Sequence, residues 1–277
     1  MSRGLGRLVY TFSRKHNRTS DANLKLAFGP DISPERIKEI QIESFQGIIL
    51  TIFDVLWFSL NTRKRVKKYV TFDDSMMYYI ETLPQITVTA HLGNWEVHGM
   101  AMALSGYPCT SIAAPLGNPY IDAIFHSIRK KTGMKMAFKD GAARVALATI
   151  KEKGRLAVLL DQNITPESGG IFVNFFGLQV PVSKIGASLA IKTKTKLVFT
   201  YCIPDIKGFY TAYSFPVETA PGADEQSVTQ ALTTALESVL RKHPGKWLWI
   251  YKRWKYIPEG ADVEKYPFYA RKTEVRG

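Results

Sequence analysis

The sequence predicts a mixed α/β fold, with a largely parallel central sheet flanked by helices and an N-terminal helical extension in front of it. From Ile86 onward, short β-branched runs alternate with helical apolar patterns, which is the grammar of a parallel sheet. Ahead of that region, apolar residues recur at helical spacing over 37–60. The chain has 277 residues, 45% of them hydrophobic, and no Pro/Gly/Ser-rich linker or repeat divides it, so one sizeable core can be buried. Residues 1–80 are therefore expected as a helical extension and 81–277 as one α/β unit.

The first segment, 1–16, sets Arg3, Arg7, Arg14 and Lys15 around Leu5, Leu8, Val9, Tyr10 and Phe12. That is a short basic amphipathic stretch of the kind that lies on a membrane interface, without the apolar core and cleavage site of a signal peptide. Ser33 followed by Pro34 reads as a helix N-cap and first-turn proline. Ile37, Ile40, Phe45, Ile48, Ile49, Ile52, Phe53, Leu56 and Leu60 then continue one helical face. The most apolar part, 47–60, is roughly 21 Å long as a helix. It falls short of a bilayer core of about 30 Å and carries Asp54, so packing in a core and dipping into a membrane both stay open. The basic run RKRVKK at 63–68 suits an anionic lipid surface or a solvated loop.

Strands are expected at 86–90, 109–113 and 156–160, with helices after Asn94, after Asn118 and Pro119, and from Gly141. Gly169, Gly170 and Gly177 bracket the aromatic run IFVNFF, a hairpin or a pocket wall. A helix at 183–194, strands near 197–203 and 209–217, and a helix at 224–242 complete the pattern. WLWIYKRWK at 247–255 mixes tryptophans with Arg253 and Lys255, a composition that points to a membrane interface.

The net charge of +13 calls for an acidic partner: nucleic acid, an anionic membrane or an acidic substrate. No zinc finger, RRM signature or KH loop accompanies it, which disfavours nucleic acid. Two cysteines, Cys109 and Cys202, make no disulfide framework, as expected in a reducing compartment.

The chemistry is concentrated in HLGNWE. His91 falls just past a strand end, Gly93 permits a tight turn, and Asn94 caps a helix whose first turn holds Glu96. A carboxylate that fixes the tautomer of an imidazole makes a general base near neutral pH. No GxSxG or cysteine nucleophile context is present, so the simplest reaction has His91 activating a substrate hydroxyl, with no covalent enzyme intermediate. A metal site of His91, Glu96 and His98 lacks the spacing of zinc proteases and deaminases.

The HLGNWE block at 91–96 resembles the histidine and acidic-residue motif of the lysophospholipid acyltransferase superfamily, in the form found in bacterial lipid A biosynthesis acyltransferases. Five further blocks agree in order: 21–40, 118–133, LLDQN at 159–163, GGIFVNFFG at 169–177 and WIYKRWK at 249–255. The likeness runs from about Leu8 to Lys255. It implies an acyltransferase-like fold, with 1–80 as a membrane-associating extension and 81–277 as the acyltransferase domain. Members usually begin with a hydrophobic anchor helix; the opening segment departs from that, and whether an anchor is naturally absent or removed stays open.

By the same resemblance His91 and Glu96 are the catalytic pair, and Asn94, Arg129, Asp161 and Gln162 bind substrate. Arg129 suits the phosphate or sugar oxygens of an acceptor, or the developing oxyanion; Asp161 and Gln162 support the substrate pocket. The implied donor is an acyl carrier protein or acyl-CoA thioester, and the acceptor is a hydroxyl of an anionic glycolipid such as a lipid A precursor. No cofactor is required, and the expected place is the cytoplasmic face of the bacterial inner membrane, peripheral or weakly anchored. The alternatives are transfer to a lysophospholipid or other lipid, and a lipid-binding protein that keeps the fold without catalysis.

Overall fold

The structure is a computed structural model and describes residues 2–113, 118–138 and 141–272. In chain order it begins with helices α1 (Ser2–Phe12), α2 (Arg14–Phe28), α3 (Pro34–Ser59) and α4 (Thr62–Tyr69). There follow β1 (Val70–Phe72), α5 (Met76–Glu81), β2 (Gln85–Thr89), α6 (Trp95–Leu104), β3 (Cys109–Ala113) and α7 (Pro119–Thr132). Next come β4 (Lys135–Phe138), α8 (Ala142–Lys151), β5 (Arg155–Leu159), β6 (Gly170–Phe175), β7 (Leu178–Ser183) and α9 (Ile185–Thr193). The chain closes with β8 (Lys196–Pro204), β9 (Tyr210–Pro216), α10 (Glu225–Lys242), β10 (Tyr256–Ile257) and β11 (Arg271–Lys272). It divides into two compact units, one of Met1–Leu50, Leu160–Ala187 and Thr219–Gly277, the other of Thr51–Leu159 and Ser188–Glu218.

The second unit holds the large sheet. Among the described residues it has seven strands in the order β1-β9-β8-β2-β5-β3-β4. The five strands from β8 to β4 are mutually parallel, and β9 turns back antiparallel to β8. This is the expected α/β class with a largely parallel sheet. β2 is central, bonded on both sides, and reads QITVT with Gln85 through Val88 all buried, the pattern of a strand covered on both faces. β4, a four-residue strand, was not foreseen; so short a run, KMAF, carries no resolvable period. The RKRVKK run is not a loop but part of α4, anchored by buried Val66.

α3 begins as expected: Ser33 Oγ accepts from the Arg36 amide at 3.1 Å. Its 26 residues make it long and apolar enough to cross a membrane by length and composition, which the 47–60 run taken alone is not. Its second half is two-sided. Val55 and Phe58 are buried, whereas Ile52, Phe53, Leu56 and Trp57 are exposed. A helix with one face committed to protein and the other bare lies along an apolar surface more readily than through it.

The first unit contains the β6–β7 hairpin, packed on α10, with Gln230 bonded to the Asn174 backbone in both directions. The tryptophan-rich run corrects the membrane-interface expectation. Trp247, Trp249, Trp254 and Arg253 have at most 1% of their surface exposed. Each indole N–H has a partner: Trp247 donates to Asp161 Oδ2 at 2.8 Å, Trp249 to the Pro244 carbonyl, and Trp254 to the Phe175 carbonyl. Arg253 donates to Asn163 Oδ1 at 2.8 Å and to the Pro181 carbonyl. Burial draws its pKa down to about 10, Asp161 acting in the opposite sense, so it remains a cation. Aromatic and basic residues together describe a hydrogen-bonded core as well as an interface, and composition alone does not separate the two.

Candidate active site

The HLGNWE turn follows the carboxyl end of the central strand β2, where ligands collect in open α/β sheets. Two contacts with β8 shape it. The Asn94 amide donates to the Cys202 carbonyl at 2.9 Å, and Gly93 forms a bridge to Cys202. Gly93 has φ +61°, and a Cβ there would meet Cys202 O at 2.0 Å. Only glycine fits both the conformation and the approach. Gly93→Ala is expected to cost about 2 kcal/mol or more in urea unfolding, together with most of the activity, because the β8 carbonyl cannot recede from a sheet. An alanine variant as stable as the parent would show that the turn is not held this way.

Asn94 caps α6 as its sequence position predicts, its side chain accepting from the Val97 amide at 3.0 Å. Glu96 therefore stands in the first turn, where unpaired amides and the helix dipole favour an anion. It is buried, and Arg129 from the last turn of α7 clamps it: Nε donates to Oε2 at 3.0 Å and Nη2 to Oε1 in a shorter bond. The paired side chains are 15% and 6% exposed for Arg129 and Glu96. This two-point fork holds the carboxylate in one plane. Arg129 also lies over the Phe125 ring, 5.5 Å from its centroid. His91 is half-buried, and the Trp95 ring stands edge-on to it with centroids 4.6 Å apart.

His91, Asn94, Glu96 and Arg129 thus belong to one unit, and the 33 positions between Glu96 and Arg129 are closed by an ion pair. Asp161 and Gln162 belong to the other. There Asp161 is buried and held by Trp247, and Gln162 is exposed in the loop after it. His98, weighed above as a metal ligand, is a core residue: its Nε2 lies 3.2 Å from Thr200 Oγ1, and burial draws its pKa down to about 4. Cys109 and Cys202 are buried, and burial pushes both thiols up, away from the thiolate a nucleophile needs.

One cluster was missed. Asp54 on α3 accepts from the Tyr210 hydroxyl in a short hydrogen bond and from Asn94 Nδ2 at 3.3 Å. The signal was present in the sequence, since a lone carboxylate in an apolar helical run needs a buried partner. Its partners, 40 and 156 positions away, were not legible.

The chain is 21% identical over 275 residues to the lipid A biosynthesis acyltransferase 2 of Shigella flexneri, covering 95% of this chain and 85% of that one. It is 21% identical over 266 residues to the lipid A biosynthesis lauroyltransferase of Escherichia coli K12, covering 93% and 85%. Among solved structures, the 1-acyl-sn-glycerophosphate acyltransferase PlsC of Thermotoga maritima aligns with a TM-score of 0.40 and 13% identity, over 89% of this chain and 99% of that one. The family model described as bacterial lipid A biosynthesis acyltransferase matches residues 1–256, so the chain, an acyltransferase, belongs to the bacterial lipid A biosynthesis acyltransferase family.

Proposed function

We propose that the protein moves a fatty acyl chain from an acyl carrier protein or CoA thioester to a hydroxyl of a glycolipid such as a lipid A precursor. His91 is the general base. It takes the proton of the acceptor hydroxyl as that oxygen attacks the thioester carbonyl; the C–O bond forms, the C–S bond breaks, and the imidazolium returns the proton to the departing thiolate. Glu96 orients the imidazole and stabilises its charged form. The observation that carries this reading is the Arg129 fork on Glu96, which fixes the one carboxylate of the motif in the first turn after His91. A guanidinium has five N–H donors and the fork uses two, which leaves donors for an acceptor phosphate or an oxyanion. Asn94 serves this site by fixing the turn, its buried side-chain amide bonded to the Val97 amide at one end and to Asp54 at the other.

The test is product analysis with purified protein, offering acyl carrier protein and CoA thioesters against a lipid A precursor and a lysophospholipid. A lipid A precursor gaining one acyl chain is expected. Transfer to the lysophospholipid alone would assign a different acceptor, and no transfer to any lipid would refute the reading.

The proposed place of action is the cytoplasmic face of the inner membrane. In the first unit α1 exposes Leu5, Leu8 and Phe12 at helical spacing beside exposed Arg7. In the second, the bare face of α3 adjoins basic α4, where Arg65 lies over Trp57 at 4.1 Å. Apolar residues next to a cationic cluster match anionic headgroups over an acyl layer. Binding to acidic vesicles is expected to weaken as salt rises, and charge reversal at Arg63, Lys64, Lys67 and Lys68 to release the protein, as read by co-sedimentation. Equal binding to neutral and acidic vesicles at every salt concentration would refute this surface.

A further inference from the structure

Asp54 has no part in the reaction proposed above, yet it is the only charged residue between Thr51 and Ser59. Two neighbours on the same face of α3, Thr51 and Phe58, reach the HLGNWE turn or the residue behind it. Thr51 Oγ1 donates to the Gly93 carbonyl at 3.3 Å. Asp54 binds Asn94 and Tyr210, and Asn94 Nδ2 is also 3.3 Å from the Tyr210 hydroxyl. Phe58, buried, packs edge-on against the Tyr210 ring with centroids 6.1 Å apart. Spacings of three and four residues put all three side chains on one stripe, and the opposite stripe is the exposed apolar one.

The hydrogen bonds allow one arrangement. Asn94 caps α6 only with Oδ1 towards the Val97 amide, which turns Nδ2 towards Asp54 and Tyr210. Nδ2 and the Tyr210 hydroxyl both donate to the same oxygen, Oδ2 of Asp54. An ionised carboxylate accepts both bonds. A protonated one, with its hydrogen on Oδ1, still accepts on Oδ2 but as a neutral oxygen, so both bonds weaken and the amide is held less firmly.

We propose that Asp54 is a positioning residue for acyl transfer: through Asn94 it holds the 91–96 turn, and with it Glu96, in the reactive arrangement, and it joins that turn to the helix whose outer face is apolar. The inference rests on the reading of His91 as the base.

Protonation follows from the surroundings. Burial pushes the Asp54 carboxyl up to about 6, against the lowering by the bonds from Tyr210 and Asn94. The groups facing it are Tyr210 from β9 and the uncharged Asn94 and Phe58, with Cys202 of β8 behind Tyr210; burial pushes both the phenol and that thiol upward, away from the range in which Asp54 titrates. The carboxylate, the positioning form, is therefore lost as pH falls through about 6. Activity should fall on the acid side as Asp54 gains its proton.

The experiment measures kcat and donor KM from about pH 5 to 8 for the full chain and its Asp54→Asn, Asp54→Ala and Tyr210→Phe variants. Asp54→Ala should lose about ten- to a hundred-fold in kcat with donor KM within about two-fold, and Tyr210→Phe a smaller part of that. Asp54→Asn, which like the protonated acid accepts both bonds on a neutral oxygen, should give a kcat between those of Asp54→Ala and the parent, with the Asp54 part of the acid limb gone. An acid limb unchanged in Asp54→Asn, or a parental kcat in Asp54→Ala, would overturn the proposal. His91→Ala separates the two ideas: an inactive His91→Ala beside parental Asp54 variants defeats only this inference, whereas an active His91→Ala defeats the base itself.

Discussion

His91→Ala is expected to lower acyl transfer by about a hundred- to ten-thousand-fold, the range spanned by a positioned general base. The fold should barely change. His91 is half-buried at the carboxyl end of the central strand, and the turn is held by its backbone and neighbours, through Gly93, Asn94 and the Cys202 carbonyl. Removing the imidazole takes away the proton acceptor and an edge contact with Trp95, and leaves those bonds in place. The check is kcat together with thermal unfolding. Full activity would sink the mechanism; inactivity with a collapsed melting transition would assign His91 a structural role.

Breaking the Glu96–Arg129 fork should have the next largest effect, and it should be non-additive. Either single alanine leaves a charged partner in a site that is nearly closed to water, and stranding one half of a buried pair typically costs about 3 kcal/mol or more. The α6 dipole favours a stranded Glu96, whereas a stranded Arg129 keeps its Phe125 contact and its slightly greater exposure. Both single variants should therefore be less stable than the Glu96→Ala, Arg129→Ala double variant in urea unfolding. Arg129→Lys should rescue little, because an ammonium cannot make the two-point fork. In activity, Glu96→Ala should retain a residue of transfer, since orientation of the base is lost and the base is not. Strictly additive losses would mean that the two side chains act independently.

The legible parts of this molecule were the local ones. Ser33 and Pro34 marked the start of α3, and Asn94 marked the cap of α6. These signals act within three residues, so the sequence carries them whole. Gly93 was legible as a tight turn, but its reason, the Cys202 carbonyl more than a hundred positions on, was not. The same limit hid the partnership of Glu96 with Arg129: both residues were singled out, one as the orienting carboxylate and one as a substrate cation, and the ion pair joins them. Trp247, Trp249 and Trp254 were misjudged because amphipathic rings serve a core once their N–H groups find acceptors, and those acceptors lie far off in sequence for Trp247 and Trp254.

The central claim is direct transfer from thioester to acceptor with no acylated protein on the way. The geometry around the two thiols agrees with it, as both are buried in the protonated form. A thioester already carries the activation that an enzyme ester would supply, so a covalent stage gains little. The most direct measurement is intact protein mass after mixing the enzyme with an acyl donor in the absence of acceptor. Direct transfer leaves the protein at its unmodified mass at every time point. A stoichiometric gain of one acyl group, discharged when acceptor is added, would contradict it.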